Sequence, residues 1–225
     1  MTGLIAASLL FLGIHLAVSG TTLRDRLTGV IGEKLYVPLF ALASLVAVVW
    51  MCIAYGHARA DDLLLFDCGQ SFRNTGIIWL ALAFVLFVPG VTRGNPTSAG
   101  QTGARIDGVL RITRHPFLCA VMLWSAFHLI GTGTLASAIF FGTFLVVAVI
   151  GTRAIDGKVR RKRPDQWRQI VAQTSILPFA AIIQGRNRFV AREYFDWRLA
   201  LAVAIYAAIL YFHADLFGVV ALPVG

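Results

Sequence analysis

The length of the uncharged apolar runs decides what this chain can fold into. Residues 116–152 form a stretch of 37 without Asp, Glu, Lys or Arg, and His128 is its one polar titratable group. Residues 1–23, 35–58, 74–92 and 199–214 are equally free of those four types. About 20 such residues cross the hydrocarbon core of a bilayer as a helix. Only 14% of the chain is charged, against about 25% in soluble domains. The chain therefore reads as an all-α integral membrane protein.

The longest run must contain a turn. Gly131, Thr132, Gly133 and Thr134 stand where a tight connection would fall, and glycine clusters mark turns. Six spans are predicted, at about 3–20, 35–56, 75–92, 115–131, 134–152 and 198–220. A cleavable signal needs a basic stretch before its apolar core. No Lys or Arg precedes Arg24, so the first run is expected to stay as an anchor. Residues 1–225 are expected to form a single transmembrane domain, with a basic interfacial segment at 153–198.

A net charge of +9 raises the question of a nucleic-acid partner. The distribution argues against one. Connectors 21–34, 93–114 and 153–198 carry 18 of the 20 Lys and Arg residues, and connector 57–74 carries the other two. Basic residues are retained on the cytoplasmic side during insertion. The odd connectors are thus expected inside and both termini outside. The partner expected of the cluster KVRRKRPDQWR, residues 158–168, is anionic lipid, at about 1 kcal/mol per nearby cation. Residues 167–172 suit an amphipathic interfacial turn, 174–183 is apolar but too short to cross, and 193–197 is an aromatic anchor. Cys52, Cys68 and Cys119 are scattered and form no disulfide framework or metal pattern.

The expected topology sorts the five histidines by depth. His15 lies about five residues inside the end of the first span, roughly 7–8 Å from the boundary. His115 opens the fourth span in the stretch RITRHPFLCAVML. Both belong near the cytoplasmic face, whereas His57, His128 and His213 belong near the outer face. Neutral imidazole is a good transition-metal or haem ligand. Two imidazoles on different helices are the pattern that clasps one haem iron. Arg111 and Arg114, with Arg24 and Arg26 after the first span, would give haem propionates a basic rim. Cys119, one turn beyond His115, is an alternative iron ligand. The plain readings stand beside these. A lone histidine in a span usually hydrogen-bonds a neighbouring helix. The arginines serve as a positive-inside signal, and Cys119 serves as a small apolar filler. No phosphate loop, GxGxxG or HExxH is present.

Taken in order, GIHLAVSGTTLRDRL, GEKLYVPLFALASL, RITRHPFLCAVMLWSAFHLIGTG and TSILPFAAIIQGR resemble the NnrU family, from about residue 10 to 188. That family comprises bacterial inner-membrane proteins associated with nitric-oxide and nitrite metabolism in denitrifiers. It is similar to plant zeta-carotene isomerases, membrane enzymes that use haem b with redox-dependent ligation to isomerise a polyene. The resemblance implies haem ligation by His15 and His115 and a lipophilic substrate. The isomerases carry a cysteine before the RHP histidine, whereas Cys119 follows it here, so ligand switching is not implied. A more distant resemblance is to membrane methyltransferases related to isoprenylcysteine carboxyl methyltransferase, which carry RHP-x-Tyr-x-Gly and use S-adenosylmethionine. Arg114, His115 and Pro116 match its start, and Phe117 to Ala120 do not supply the Tyr and Gly.

Overall fold

A computed structural model describes residues 1–98 and 105–221. Among them every regular element is helical, with one isolated β-bridge. In chain order the α-helices are α1 (Thr2–Leu12), which continues as a π-helical stretch (Gly13–Ser19), α2 (Leu23–Ile31), α3 (Glu33–Ala58), α4 (Gly69–Asn74) and α5 (Gly76–Thr92). After them come α6 (Val109–Ile112), α7 (Pro116–Thr132), α8 (Leu135–Lys162), α9 (Pro164–Gln173), α10 (Ala180–Ile183), α11 (Trp197–Tyr211) and α12 (His213–Phe217).

Four helical segments are long and apolar enough to cross a membrane: Thr2–Ser19, Glu33–Asp61, Gly69–Thr92 and Leu135–Lys162. Pro116–Thr132 and Trp197–Tyr211 are apolar but shorter. Large side chains point outward along the crossing helices, among them Leu42, Leu45 and Ile53 on α3 and Ile78 on α5. Water around so much contiguous apolar surface would be strongly unfavourable, and lipid removes that cost. The chain is a polytopic membrane protein on this ground. The helices are also longer than the apolar runs alone define. α8 runs to Lys162, well past the expected span end near residue 152, and carries Asp156 and the start of the basic cluster.

The chain divides into two compact units, each built from separate stretches of sequence. The first comprises Met1–Cys68 and His128–Ala154. Within it α1 packs on α3. Leu4, Ala7, Phe11, Ala47, Met51, Ala136, Phe140, Phe141 and Ala148 are buried there. Small residues let helix backbones approach, and the Gly3 position lies close to the Ala54 methyl. The turn expected at 131–134 is present. Gly133 adopts φ +62°, and its carbonyl accepts from the Leu65 and Phe66 amides at 2.8 and 3.1 Å. The Leu135 amide donates to Leu63 O at 2.9 Å, and Asp62 Oδ1 accepts from the Ala136 amide at 2.9 Å. The connector after α3 is thereby tied to the start of α8.

The second unit comprises Gly69–Phe127 and Ile155–Gly225. Here α5 packs along α11. Leu86, Val109, Leu110, Ile112, Cys119 and Ala120 form its buried apolar cluster, against which Tyr194 packs. Trp79 Nε1 donates to Leu123 O at 2.8 Å, and the Tyr206 hydroxyl donates to Ile77 O at 2.6 Å. The polar tips of these two aromatics thus each find a backbone carbonyl on a neighbouring helix. Pro116 occupies the first position of α7, where its missing N–H costs nothing. Asp196 caps α11 by accepting from the Arg198 amide at 2.8 Å.

Candidate functional site

In the first unit His15 sits on the π-helical stretch, half buried. Such wide turns are rare and often occur at functional sites. Its Nδ1 lies 3.0 Å from Phe11 O. A carbonyl only accepts, so Nδ1 carries the proton, and in the neutral ring Nε2 keeps the lone pair. Phe11 lies against the ring at a centroid distance of 4.1 Å, and Phe40 meets it edge-on at 5.3 Å. Tyr36 stacks on Phe40 at 5.9 Å, and the Arg24 guanidinium lies 5.3 Å from the Tyr36 ring centroid. Arg24 is buried and donates to Glu33 at 2.7 Å. Arg26 is exposed. His128 stacks on Phe141 at 4.9 Å, and His57 is exposed.

In the second unit His115 is buried, and its Nε2 lies 2.8 Å from Asp156 Oδ1. The same carboxylate receives Arg114 Nε on both oxygens, at 3.1 and 3.0 Å, and Arg114 Nη2 as well. The Arg114 and Asp156 side chains are only 8% and 11% exposed. A buried ion pair persists only when its remaining polar groups are also satisfied. The surrounding segments do this. Asn95 Nδ2 donates to Arg114 O at 2.9 Å, and the Arg114 amide donates to Ser175 O at 3.0 Å. The Trp167 ring covers the guanidinium at 5.3 Å, a cation–π contact. Cys119 faces this cluster from one turn along α7. Its thiol lies 3.4 Å from Thr113 Oγ1 and 3.7 Å from Ile176 O.

A second charged network stands beside it in the same unit. Arg111 binds Glu193 through Nε at 2.7 Å and Nη2 at 3.0 Å, and binds Asn187 through Nη1 at 2.8 Å. Arg93 reaches Asp107 and Asp196, and Arg198 Nη1 meets Asp196 at 2.7 Å. The hydrogen bonds from Arg111 pull the Glu193 carboxyl from 4.5 to about 2, helped by the Gly108 amide and the nearby charges of Arg111 and Arg93. Glu193 in turn raises Arg111. Burial pushes the Tyr194 phenol up to about 12. Burial works to raise Asp196, but the bonds and charge of Arg198, with the charge of Arg93, hold it below the usual carboxylate value.

A metal-ligating histidine presents one nitrogen lone pair and commits the other nitrogen as a donor. His15 fits that role with Nε2 as its presented atom. His115 commits Nε2 to Asp156, which leaves Nδ1. The expected propionate rim is less open than its composition suggested. Arg24, Arg111 and Arg114 each bind a carboxylate of the chain, so a propionate would have to compete for them. Among the described residues no group of three or more His, Cys, Asp or Glu assembles to hold a metal ion. His213 Nδ1 donates to Val219 O at 2.8 Å.

Sequence reasoning did not anticipate the partners of Asp156, Glu193 and Asn95. Asp156 had a signal, as the one acidic residue in the 28-residue helix α8. Glu193 and Asn95 carried none, because their partners lie 82 and 19 positions away.

The apolar crossing helices, with an imidazole held on a π-helical turn and a second held by a buried ion pair, define a polytopic membrane protein with two built histidine centres. The chain belongs to the NnrU protein family, whose profile matches residues 3–221. It is 23% identical over 186 residues to the chloroplastic 15-cis-zeta-carotene isomerase of Zea mays, and 25% identical over 184 residues to that of Arabidopsis thaliana. Each match covers 80% of this chain and 50% of the relative, so the chain spans about half the length of the curated relatives it matches. No solved structure matches the chain.

Proposed function

We propose that this chain is a membrane-embedded cis–trans isomerase of an extended, lipophilic polyene, and that it holds haem b through His15, with His115 as the second candidate ligand. One observation carries the reading. In a relative of the zeta-carotene isomerases, the first-span imidazole commits Nδ1 to Phe11 O and keeps Nε2 as a lone pair. Haem, when bound, supplies electron density that lowers the rotation barrier of a double bond. The chain's own part is to hold the imidazole, to keep water from it with Phe11 and Phe40, and to admit an apolar molecule from the bilayer. Isomerisation transfers no group, so the site needs no general acid.

Six crossings support this reading best, four by the long helices and two by Pro116–Thr132 and Trp197–Tyr211. The odd connectors face the cytoplasm, because they hold 18 of the 20 basic residues. Both termini then face the outer side of a bacterial inner membrane. A setting in nitric-oxide or denitrification metabolism, as the NnrU resemblance implies, is compatible with the same haem.

A second reading is S-adenosylmethionine-dependent methyl transfer. It is favoured by the convergence of Arg114, His115, Asp156 and Trp167 in one unit. The test is a purified preparation in detergent with oxidised and dithionite-reduced spectra. A b-type signal lost in His15→Ala supports the haem reading, and its loss in His115→Ala as well assigns both ligands. A colourless wild-type protein overturns it. S-adenosylmethionine binding by that colourless protein supports the second reading.

A further inference from the structure

We propose that Asp156 is the positioning residue for His115, fixing which ring nitrogen this histidine can offer to a ligand or substrate. The proposal deepens the functional reading above and rests on it only for the use made of that nitrogen.

The geometry dictates the tautomer. Asp156 binds the Arg114 guanidinium through both carboxylate oxygens, at 3.1 and 3.0 Å from Nε. A carboxylate paired in this way is ionised and only accepts. The 2.8 Å contact between Oδ1 and His115 Nε2 therefore has the proton on Nε2. In the neutral ring Nδ1 is then the lone-pair atom. Each member of the arrangement has further contacts that hold it. Arg114 is held by the Asp156 oxygens, by Trp167 over its face and by Ser175 on its amide. The His115 amide meets Thr113 Oγ1 at 3.2 Å, and Thr113 Oγ1 donates to Ile176 O at 2.8 Å. Ligating and catalytic histidines are commonly oriented by such a carboxylate. The three side chains form one unit, in which Arg114 aims Asp156 and Asp156 aims His115.

The experiment is 15N solid-state NMR of the full chain in lipid bilayers at neutral pH, with 15N-labelled histidine and His115→Gln used to assign the signal. The wild type is expected to show the neutral His115 ring as the Nε2–H tautomer. In Asp156→Asn the amide oxygen turns to Arg114 and the amide N–H faces His115 Nε2, so the proton is expected to move to Nδ1. Asp156→Glu keeps an acceptor and is expected to restore the Nε2–H form. A wild-type Nδ1–H tautomer, a wild-type imidazolium, or an unchanged tautomer in Asp156→Asn overturns the proposal. The wild-type measurement stands even where a variant does not fold. Absence of haem bands from a protein whose tautomer follows Asp156 defeats the functional reading and leaves the positioning role intact.

Discussion

Arg111 grips both carboxylate oxygens of Glu193, with Nε 2.7 Å from Oε2 and Nη2 3.0 Å from Oε1. The two residues lie 82 positions apart, so the pair ties the short helix α6 to the segment that leads into α11. This fork-to-fork geometry is the strong form of an ion pair.

The pair predicts a specific acid response. Glu193 has its carboxyl pulled down to about 2 from 4.5. A group with a depressed folded value stabilises above its unfolded value and loses that contribution as pH falls through the folded one. The contribution is therefore complete above about 4.5 and fades towards pH 2. Glu193→Gln is expected to lower stability by about 1–2 kcal/mol at pH 7. The gap to wild type should close as the pH drops from 4.5 towards 2. Thermal denaturation in detergent across that range measures it.

Arg114 offers a sharper stability test. Removing one partner of a buried ion pair leaves an uncompensated charge and costs about 3–5 kcal/mol. Arg114→Ala is expected to fall in that range. Arg114→Lys is expected to recover less than half of the loss, because an ammonium cannot span both Asp156 oxygens or lie flat under Trp167. Denaturation of both variants beside wild type decides it. Equal stability of the lysine variant and wild type would contradict the forked geometry.

At Gly90, α5 lies against the backbone at the start of α7. A Cβ there would sit 2.7 Å from the Phe117 amide nitrogen and 3.2 Å from the Pro116 carbonyl carbon. Both are backbone atoms and have no rotamer to yield. Gly90→Ala is expected to push the two helices apart and to cost about 1–3 kcal/mol. It should also disturb His115, the residue before Pro116. The His115 15N signal in this variant provides the check.

Gly133 carries a different constraint, in the first unit. Its φ of +62° suits glycine, and an added Cβ would overlap Phe66 O. Gly133→Ala is expected to break the bonds from the Leu65 and Phe66 amides and to free the 63–66 segment. Protease cleavage within that segment, slow in wild type and fast in the variant, reads the change.

Much of the architecture is legible in the sequence. The apolar runs marked the crossing helices, and the glycines at 131 and 133 marked the turn between α7 and α8. Pro116 marked a helix start, and Cys119 as a small filler agrees with its place in a buried apolar cluster. Each of these is a local property of hydrophobicity or backbone freedom. The extension of α8 to Lys162 was missed because a helix can continue past the apolar zone once its charged residues find partners. The two compact units, each drawn from separate stretches of sequence, are not legible along the chain either, because packing between helices far apart in sequence defines them.

The sequence by itself determined that this chain lives in a membrane, and it named His15 and His115 as the residues to watch. Transfer of apolar side chains into lipid is a sum over neighbours along the chain, so composition and spacing carry it. Only the tertiary structure decided what holds those imidazoles. The π-helical turn sets His15 Nδ1 on Phe11 O. Asp156, 41 residues beyond His115, becomes its partner because α8 brings a lone carboxylate to the ring. Hydrogen bonds are directional and reach about 3 Å, and no pattern read along a chain specifies which distant groups will meet at that range.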